Sequence, residues 1–98
     1  MTIQQERNDG TLTLLLEGRL DTATAPQLEK QLNEALDGVT HLVMDFSSLE
    51  YISSAGLRVL LSAQKRMNKQ GDMVLRNVNE VISEVLEITG FSEILTVE

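Results

Sequence analysis

The N-terminal part of the chain has the pattern of a β-hairpin. From Thr11 to Glu17 polar and apolar residues first alternate and then become apolar, which predicts a strand with a partly buried face, interrupted at Gly18. The turn-forming sequence Asn8-Asp9-Gly10 precedes this strand, so Ile3 to Arg7 is predicted to pair back as the first arm of the hairpin.

Two later segments are short, mostly apolar and without a helical stripe. His41 to Phe46 suits a central strand covered on at least one face, and Ser47 to Tyr51 after it is predicted to be a connector. Met73 to Arg76 is predicted to be a further strand, and the tail from Phe91 to Val97 one more turn or strand. His41 itself is interpreted as a strand-edge residue.

Three segments carry apolar residues at helical spacing. The first is predicted to span Ala25 to Asp37, with a capping-box-like start at Thr24 and Gln27 and a stop at Gly38. The apolar residues of the three stripes are Leu28, Leu32, Ala35 and Leu36, then Leu57, Leu60, Leu61 and Met67, then Val81, Ile82, Val85, Leu86 and Ile88.

The other two helices have alternative start residues. The second is predicted to begin at Ser53 or Ser54 and to end at Gly71, and the third to begin after Asn77 or Asn79. Strands that alternate with helices over short loops predict the α/β class. We expect a single domain over residues 1–98, with helices packed on a small mixed β-sheet.

Composition and charge narrow the chemistry. The formal net charge is −7 and aromatic residues make up 3% of the chain, which argues against direct binding of nucleic acid or of an anionic membrane. The chain has no cysteine and a single histidine, so no metal site is expected. It also has no nucleotide-binding glycine pattern, so no cofactor is expected. No apolar run approaches the roughly 20 residues that span a bilayer, and no export signal is recognisable. We expect a soluble, cytoplasmic protein.

The segment from Tyr51 to Arg58 places two hydroxyl groups between an apolar strand and an amphipathic helix. Ser53 or Ser54 suits a helix N-cap, the commonest use of serine at such a position. A serine at a helix N-terminus is also a good phosphoacceptor, because backbone N–H groups and the helix dipole can meet the phosphate. The two interpretations are compatible.

Catalytic interpretations find less support in the sequence. No Gly-x-Ser-x-Gly elbow surrounds the serines, and His41 has no obvious acid partner. Asp21 and Asp45 could form an acid–base pair, but a loop position for Asp21 and a strand end for Asp45 are favoured. We therefore expect a protein that is not an enzyme.

Several sequence blocks are similar to those of a known family. They are Gly18-Arg19-Leu20-Asp21 before the first helix, Leu42 to Phe46 as a strand, Tyr51 to Leu57 at the next helix start, and the closing Thr89-Gly90-Phe91. Together they resemble the anti-sigma factor antagonists of the STAS family. The similarity covers nearly the whole chain in order and spacing, which is more specific than any single motif. It implies the STAS fold.

The resemblance also implies a switch site. In the family the phosphorylated serine stands two residues before the glycine of an Asp-Ser-x-Gly sequence, which corresponds to Ser54 because Gly56 follows two positions later. The family's loop aspartate corresponds to Asp21. The residue before the acceptor is often Asp in the family and is Ser53 here, which leaves the choice between the two serines open.

The mechanism implied by the resemblance is partner switching. The unphosphorylated protein would bind an anti-sigma factor that is often itself a serine kinase, free a sigma factor, and be turned off by phosphorylation of Ser54. A serine phosphatase would restore it, and the free protein would be a monomer. The alternative is a stand-alone STAS subunit that docks on the ATPase of a membrane transport complex without phosphorylation. The residues expected to contact a partner are Asp21, Thr22, Ser53, Ala55, Gly56, Leu57 and Arg58.

Overall fold

The computed structural model describes all 98 residues and has the predicted α/β architecture. Its elements, in chain order, are β1 (Thr2–Asn8), β2 (Thr11–Leu20), α1 (Ala25–Ala35), β3 (His41–Ile52), α2 (Ser54–Gln70), β4 (Asp72–Arg76), α3 (Glu80–Ile88) and a 3₁₀ turn (Phe91–Glu93). None of the helices has the length and apolar character that a membrane span requires.

The four strands form one mixed sheet in the order β1-β2-β3-β4. β1 and β2 are antiparallel, as the hairpin prediction required, whereas β2, β3 and β4 run parallel. The tail adds a parallel bridge from Val97 to Leu75 in β4. The C-terminal segment therefore contains both a helical turn and a short strand pairing.

One face of the sheet carries the hydrophobic core. Leu12, Leu14 and Leu16 of β2 are fully buried, because every second side chain of a strand points to the same face. The buried apolar side chains of all three helices belong to the same cluster as these leucines. Three methionines are also buried, and they are Met44, Met67 and Met73.

β2 and β3 both extend further than the apolar pattern predicts. β2 continues through Gly18 to Leu20, and β3 continues through the predicted connector to Ile52. Gly18 adopts a φ of 103°, which favours glycine, and the β2–β3 register shifts directly after it. Pairing with β2 maintains β3 although Ser47 and Ser48 are exposed. The apolar pattern of β3 therefore ends before the strand does.

The start of α1 differs from the predicted capping box. The Thr24 side chain does not cap the helix; its hydroxyl donates to the Arg19 carbonyl oxygen and accepts from the Asp21 N–H. The Asp21 carboxylate instead accepts hydrogen bonds from the N–H groups of Ala23 and Thr24. The loop before α1 is therefore organised around Asp21, and the Gln27 side chain donates to the Met1 carbonyl oxygen instead.

The other helix boundaries lie close to the predicted ones. α1 ends at Ala35, two residues before the predicted Asp37, and the Arg7 guanidinium donates to the carbonyl oxygens of both residues. α2 begins at Ser54, with Ser53 in an extended conformation as its N-cap residue. Of the two possible starts, the sequence alone could not select this one.

The N-cap of α3 is Asn79. Its Oδ1 atom accepts from the Ile82 N–H at 2.8 Å, and its Nδ2 atom donates to the Leu49 carbonyl oxygen at 3.0 Å. Asn77 lies before the helix with a φ of 59° and donates to the Asp45 carboxylate. Tertiary contacts to β3 therefore distinguish two asparagines that local sequence leaves equivalent.

The predicted apolar side of α3 is wrong for two of its residues. Val81 is 58% exposed and Ile88 is 79% exposed, whereas Ile82 and Leu86 are buried. Only a narrow stripe of this short helix contacts the core, because a helix that packs on a sheet buries only the side that faces the sheet. Val85 lies between the two groups and is half-buried.

This division of α3 predicts a difference in stability. Leu86→Ala is expected to lower the free energy of unfolding by about 2 to 5 kcal/mol, because it leaves a cavity in the core. Ile88→Ala is expected to change it by about 0.5 kcal/mol or less, because most of that side chain already contacts water. Urea denaturation measures both values, and equal losses would show that Ile88 is buried in solution.

Candidate functional site

The candidate site lies at the carboxyl ends of β2 and β3. Leu20 is in register with Ile52, so Asp21 and Ser53 follow neighbouring strand ends. The Ser53 N–H donates to the Leu20 carbonyl oxygen at 2.9 Å, which carries the strand pairing one residue further. The structure therefore brings the Asp21 loop beside the start of α2.

The two serines at the start of α2 differ in exposure. Ser54 is the first residue of the helix and is exposed. Ser53 occupies the N-cap position, but its Oγ atom is buried and has no hydrogen-bond partner. The N-cap position expected for one of the serines is confirmed, although the hydroxyl bond that usually accompanies it is absent. Of the two hydroxyl groups, the one on Ser54 is therefore the accessible one.

Gly56 allows α2 to approach the ends of β2 and β3 closely. A Cβ atom at this position would lie 2.7 Å from Leu20 Cγ and 2.9 Å from Ile52 Cγ1, closer than packed carbon atoms approach. Leu57 is also directed into the core, with 5% of its surface exposed. Both residues hold the start of α2 in place from the interior, so they position Ser54 rather than offer surface.

Asp21 carries a negative charge beside the exposed serine. The Thr24 N–H donates to its carboxylate at 3.1 Å and is the main reason why the pKa of Asp21 is lowered from 3.8. Desolvation opposes this, and the Thr24 hydroxyl, the Ala23 N–H and Arg19 reinforce it. The Asp21 carboxyl is therefore ionised throughout the physiological pH range.

Arg19 is a part of this site that the sequence pattern does not reveal. Its guanidinium carbon lies 4.4 Å from the centroid of the Tyr51 ring, a cation–π contact, and its Nε atom lies 3.8 Å from Asp21 Oδ2. The contact exists because Arg19 and Tyr51 are in register on β2 and β3. The apolar pattern predicts that the first strand is interrupted at Gly18, before Arg19, and that Tyr51 lies in a connector, so no local signal pairs the two residues.

An open depression separates the start of α1 from the start of α2. It brings together Thr22, Ala55 and Arg58, three of the residues expected to contact a partner. Its lining also includes Ala25, Pro26, Glu29 and Val59. Thr22 and Arg58 are exposed, so the depression is part of an accessible surface next to Ser54.

The remaining candidate groups lie away from this surface. Contrary to the prediction, His41 has an acid partner, because its Nδ1 atom contacts Asp72 Oδ1. These residues begin β3 and β4, whereas Ser54 follows the other end of β3. Asp45 lies within β3 and not at a strand end. No group of three or more His, Asp or Glu side chains is placed to hold a metal ion.

The environment of Asp45 predicts that the free energy of unfolding depends on pH. Burial raises the pKa of Asp45, but hydrogen bonds from the Ser47 N–H and the Asn77 amide outweigh it, so the pKa is lowered from 3.8. A lowered folded-state pKa stabilises the fold above the unfolded-state value, and this contribution is lost as the pH falls through the folded-state value. We expect the wild type to be more stable than Asp45→Asn at pH 6, and the difference to shrink below about pH 4.

Urea denaturation at a series of pH values tests this dependence. Glu50→Gln is the control, because it neutralises an exposed carboxylate on the same strand that makes none of these hydrogen bonds. A difference between wild type and Asp45→Asn that stays constant between pH 6 and about pH 2 would contradict the prediction.

A small mixed sheet covered by helices, with an exposed serine at a helix start beside an aspartate loop, is the arrangement that the sequence resemblance implies. The profile of the STAS domain matches residues 2–98. The chain therefore belongs to the STAS domain family.

Several bacterial relatives of the chain are named anti-sigma factor antagonists. The chain is 40% identical to BtrV of Bordetella bronchiseptica, provisionally named an anti-sigma factor antagonist, with 99% of this chain and 85% of BtrV covered. It is 30% identical to the anti-sigma F factor antagonist of Paenibacillus polymyxa, with 99% and 86% covered. The fold matches the phosphorylated form of the Bacillus cell fate determinant SpoIIAA with a TM-score of 0.77 at 21% identity, covering 99% of this chain and 91% of SpoIIAA.

Proposed function

We propose that this protein is an anti-sigma factor antagonist that acts by partner switching and is turned off by phosphorylation of Ser54. The observation that carries the proposal is the exposed Ser54 at the start of α2, beside the ionised Asp21. It is made in a chain whose relatives are named anti-sigma factor antagonists. In its unphosphorylated form the protein binds an anti-sigma factor and thereby frees a sigma factor.

The local structure supports Ser54 rather than Ser53 as the phosphoacceptor. The Ser54 side chain is exposed, whereas the Ser53 Oγ atom is buried. The first intrahelical bond of α2 is donated by Leu57 to the Ser53 carbonyl oxygen, which leaves the N–H groups of the first turn free. A phosphate on Ser54 would lie next to these donors at the positive end of the helix dipole.

Phosphorylation would act on binding and not on folding. It adds about −1.5 to −2 charges at neutral pH next to Asp21, so a partner that accepts this surface must then desolvate or oppose a strong negative potential. The helix start can accommodate the phosphate, because it is exposed and its amides are unpaired. The fold is therefore expected to stay intact when Ser54 is modified.

The protein itself is a substrate and a ligand in this scheme. The chemistry is supplied by its partners, a serine kinase that is the anti-sigma factor itself and a serine phosphatase that removes the phosphate. The surface offered to the kinase is Ser54 with Asp21, Thr22, Ala55 and Arg58 around it. The free antagonist is a cytoplasmic monomer.

Intact-mass analysis tests the proposal. Wild type, Ser53→Ala and Ser54→Ala are each incubated with ATP and with the kinase encoded nearest to the gene. We expect one phosphate on the wild type and on Ser53→Ala, and none on Ser54→Ala. Stable binding without any phosphate would instead favour the STAS subunit that docks on a transport ATPase.

A further inference from the structure

Arg58 is an unpaired cation one helical turn beyond the proposed phosphoacceptor. Four of the five arginines form side-chain contacts in the structure, and they are Arg7, Arg19, Arg66 and Arg76. Arg58 forms no hydrogen bond, ion pair or aromatic contact, and its side chain is exposed. An arginine without a partner on an ordered helix keeps all five of its N–H donors available.

The helix geometry places Arg58 within reach of Ser54. Residues four positions apart on a helix are neighbours on its surface, with Cβ atoms about 5 to 6 Å apart. Helical side chains also lean toward the N-terminus, so a residue covers the turn that precedes it. Arg58 and Ser54 therefore lie on the same side of α2, and an arginine side chain is long enough to span the gap between the two Cβ atoms.

We propose that Arg58 binds the phosphate of phosphorylated Ser54 within the same helix. This inference rests on the proposed function, since it concerns the product of that modification. Guanidinium and phosphate form paired, charge-assisted hydrogen bonds, which lysine cannot reproduce with the same geometry. Arg58 is a positioning residue that decides where the phosphate lies after it has been transferred.

Neighbouring carboxylates do not occupy Arg58 beforehand. Glu29 lines the same depression, but no ion pair joins it to Arg58. Asp21 is paired with Arg19 instead. The phosphate carries more negative charge than either carboxylate and is attached one turn away, so it is the strongest partner available to Arg58.

The contact would make the switch act in two ways at once. Phosphorylation adds negative charge at Ser54, and it also withdraws the Arg58 guanidinium from the surface that the partner meets. An acidic group on the anti-sigma factor that pairs with Arg58 in the unphosphorylated complex would lose its partner. The same contact covers one side of the phosphate and is expected to slow its removal by the phosphatase.

A ³¹P NMR titration of protein with phosphoserine installed genetically at position 54 tests the contact without any kinase. Since a nearby cation favours the dianion, the second pKa of the phosphate is expected to lie lower in wild type than in Arg58→Gln by about 0.5 to 1 pH unit. Arg58→Lys should recover part of this difference. Lys65→Gln removes an exposed cation further along the same helix and should leave the midpoint unchanged.

Equal midpoints for wild type, Arg58→Gln and Arg58→Lys would overturn the proposal, and so would a shift of the same size in Lys65→Gln. Circular dichroism of each variant checks that α2 is intact. Because the phosphoserine is installed directly, failure of the kinase reaction would count against the proposed function alone. A normal kinase reaction with equal midpoints would count against the Arg58 contact alone.

Discussion

Phosphorylation of Ser54 is expected to weaken binding of the anti-sigma factor by about 2 to 4 kcal/mol, which is roughly a 30-fold to 700-fold loss of affinity. The modification places a second negatively charged group beside Asp21, whose lowered pKa keeps it ionised at neutral pH. Burying this pair against a partner costs free energy in desolvation and in repulsion between like charges.

Isothermal titration calorimetry of unmodified and phosphorylated protein with the partner measures the loss. Ser54→Ala should bind as tightly as the unmodified wild type, because it adds no charge. Ser54→Asp should lose part of the affinity, and Ser92→Asp, which adds the same charge at an exposed position in the 3₁₀ turn, should lose much less. Equal binding by phosphorylated and unmodified protein would rule out a switch at this surface.

Gly71→Ala is expected to lower the free energy of unfolding by about 3 kcal/mol or more. A Cβ atom at Gly71 would lie 1.8 Å from the Thr40 carbonyl oxygen and 2.5 Å from its carbonyl carbon. The φ of Gly71 is 169°, which is extended backbone, so the cost comes from the contact and not from the dihedral angle. The same carbonyl oxygen accepts from the Asp72 N–H at 3.0 Å, so the turn cannot move away without losing the entry into β4.

Gly90→Ala is the matched control for this prediction. Gly90 has a φ of 82°, so alanine there is strained by about 1 to 2 kcal/mol, but no atom lies within 4 Å of the new Cβ. Thermal and urea denaturation of both variants should therefore rank Gly71→Ala as the more damaging. The opposite order would mean that the Thr40 segment shifts easily and that the close approach is not a constraint.

Much of the fold can be predicted from residues that are close together in the sequence. The Asn8-Asp9-Gly10 turn between two strand patterns predicts the hairpin, and α1 and α2 begin within a residue of the predicted positions. The incorrect predictions have a common cause, which is contact between residues that are distant in the sequence. β3 continues past Phe46 because β2 pairs with it, and Val81 and Ile88 stay exposed because only one stripe of α3 reaches the sheet.

The candidate site also has some features that the sequence predicts and others that depend on tertiary contacts. Ser54, Asp21 and Arg58 are predicted as site residues from their place in the sequence and from the family resemblance. The difference between Ser53 and Ser54 is not, because both are serines at a helix start and only burial separates them. The contact between Arg19 and Tyr51 is also invisible locally, since it depends on the register of two strands that are distant in sequence.

The amino-acid sequence by itself determined the order and type of the elements, because turn residues and apolar spacing act over a few neighbouring positions. It also determined the family. The tertiary structure decided which serine is exposed, which asparagine caps α3 and which side of that helix is buried. It also decided that Asp21, and not Thr24, organises the loop before α1. These features depend on contacts between residues far apart in the chain, and only the packed sheet and helices bring those residues together.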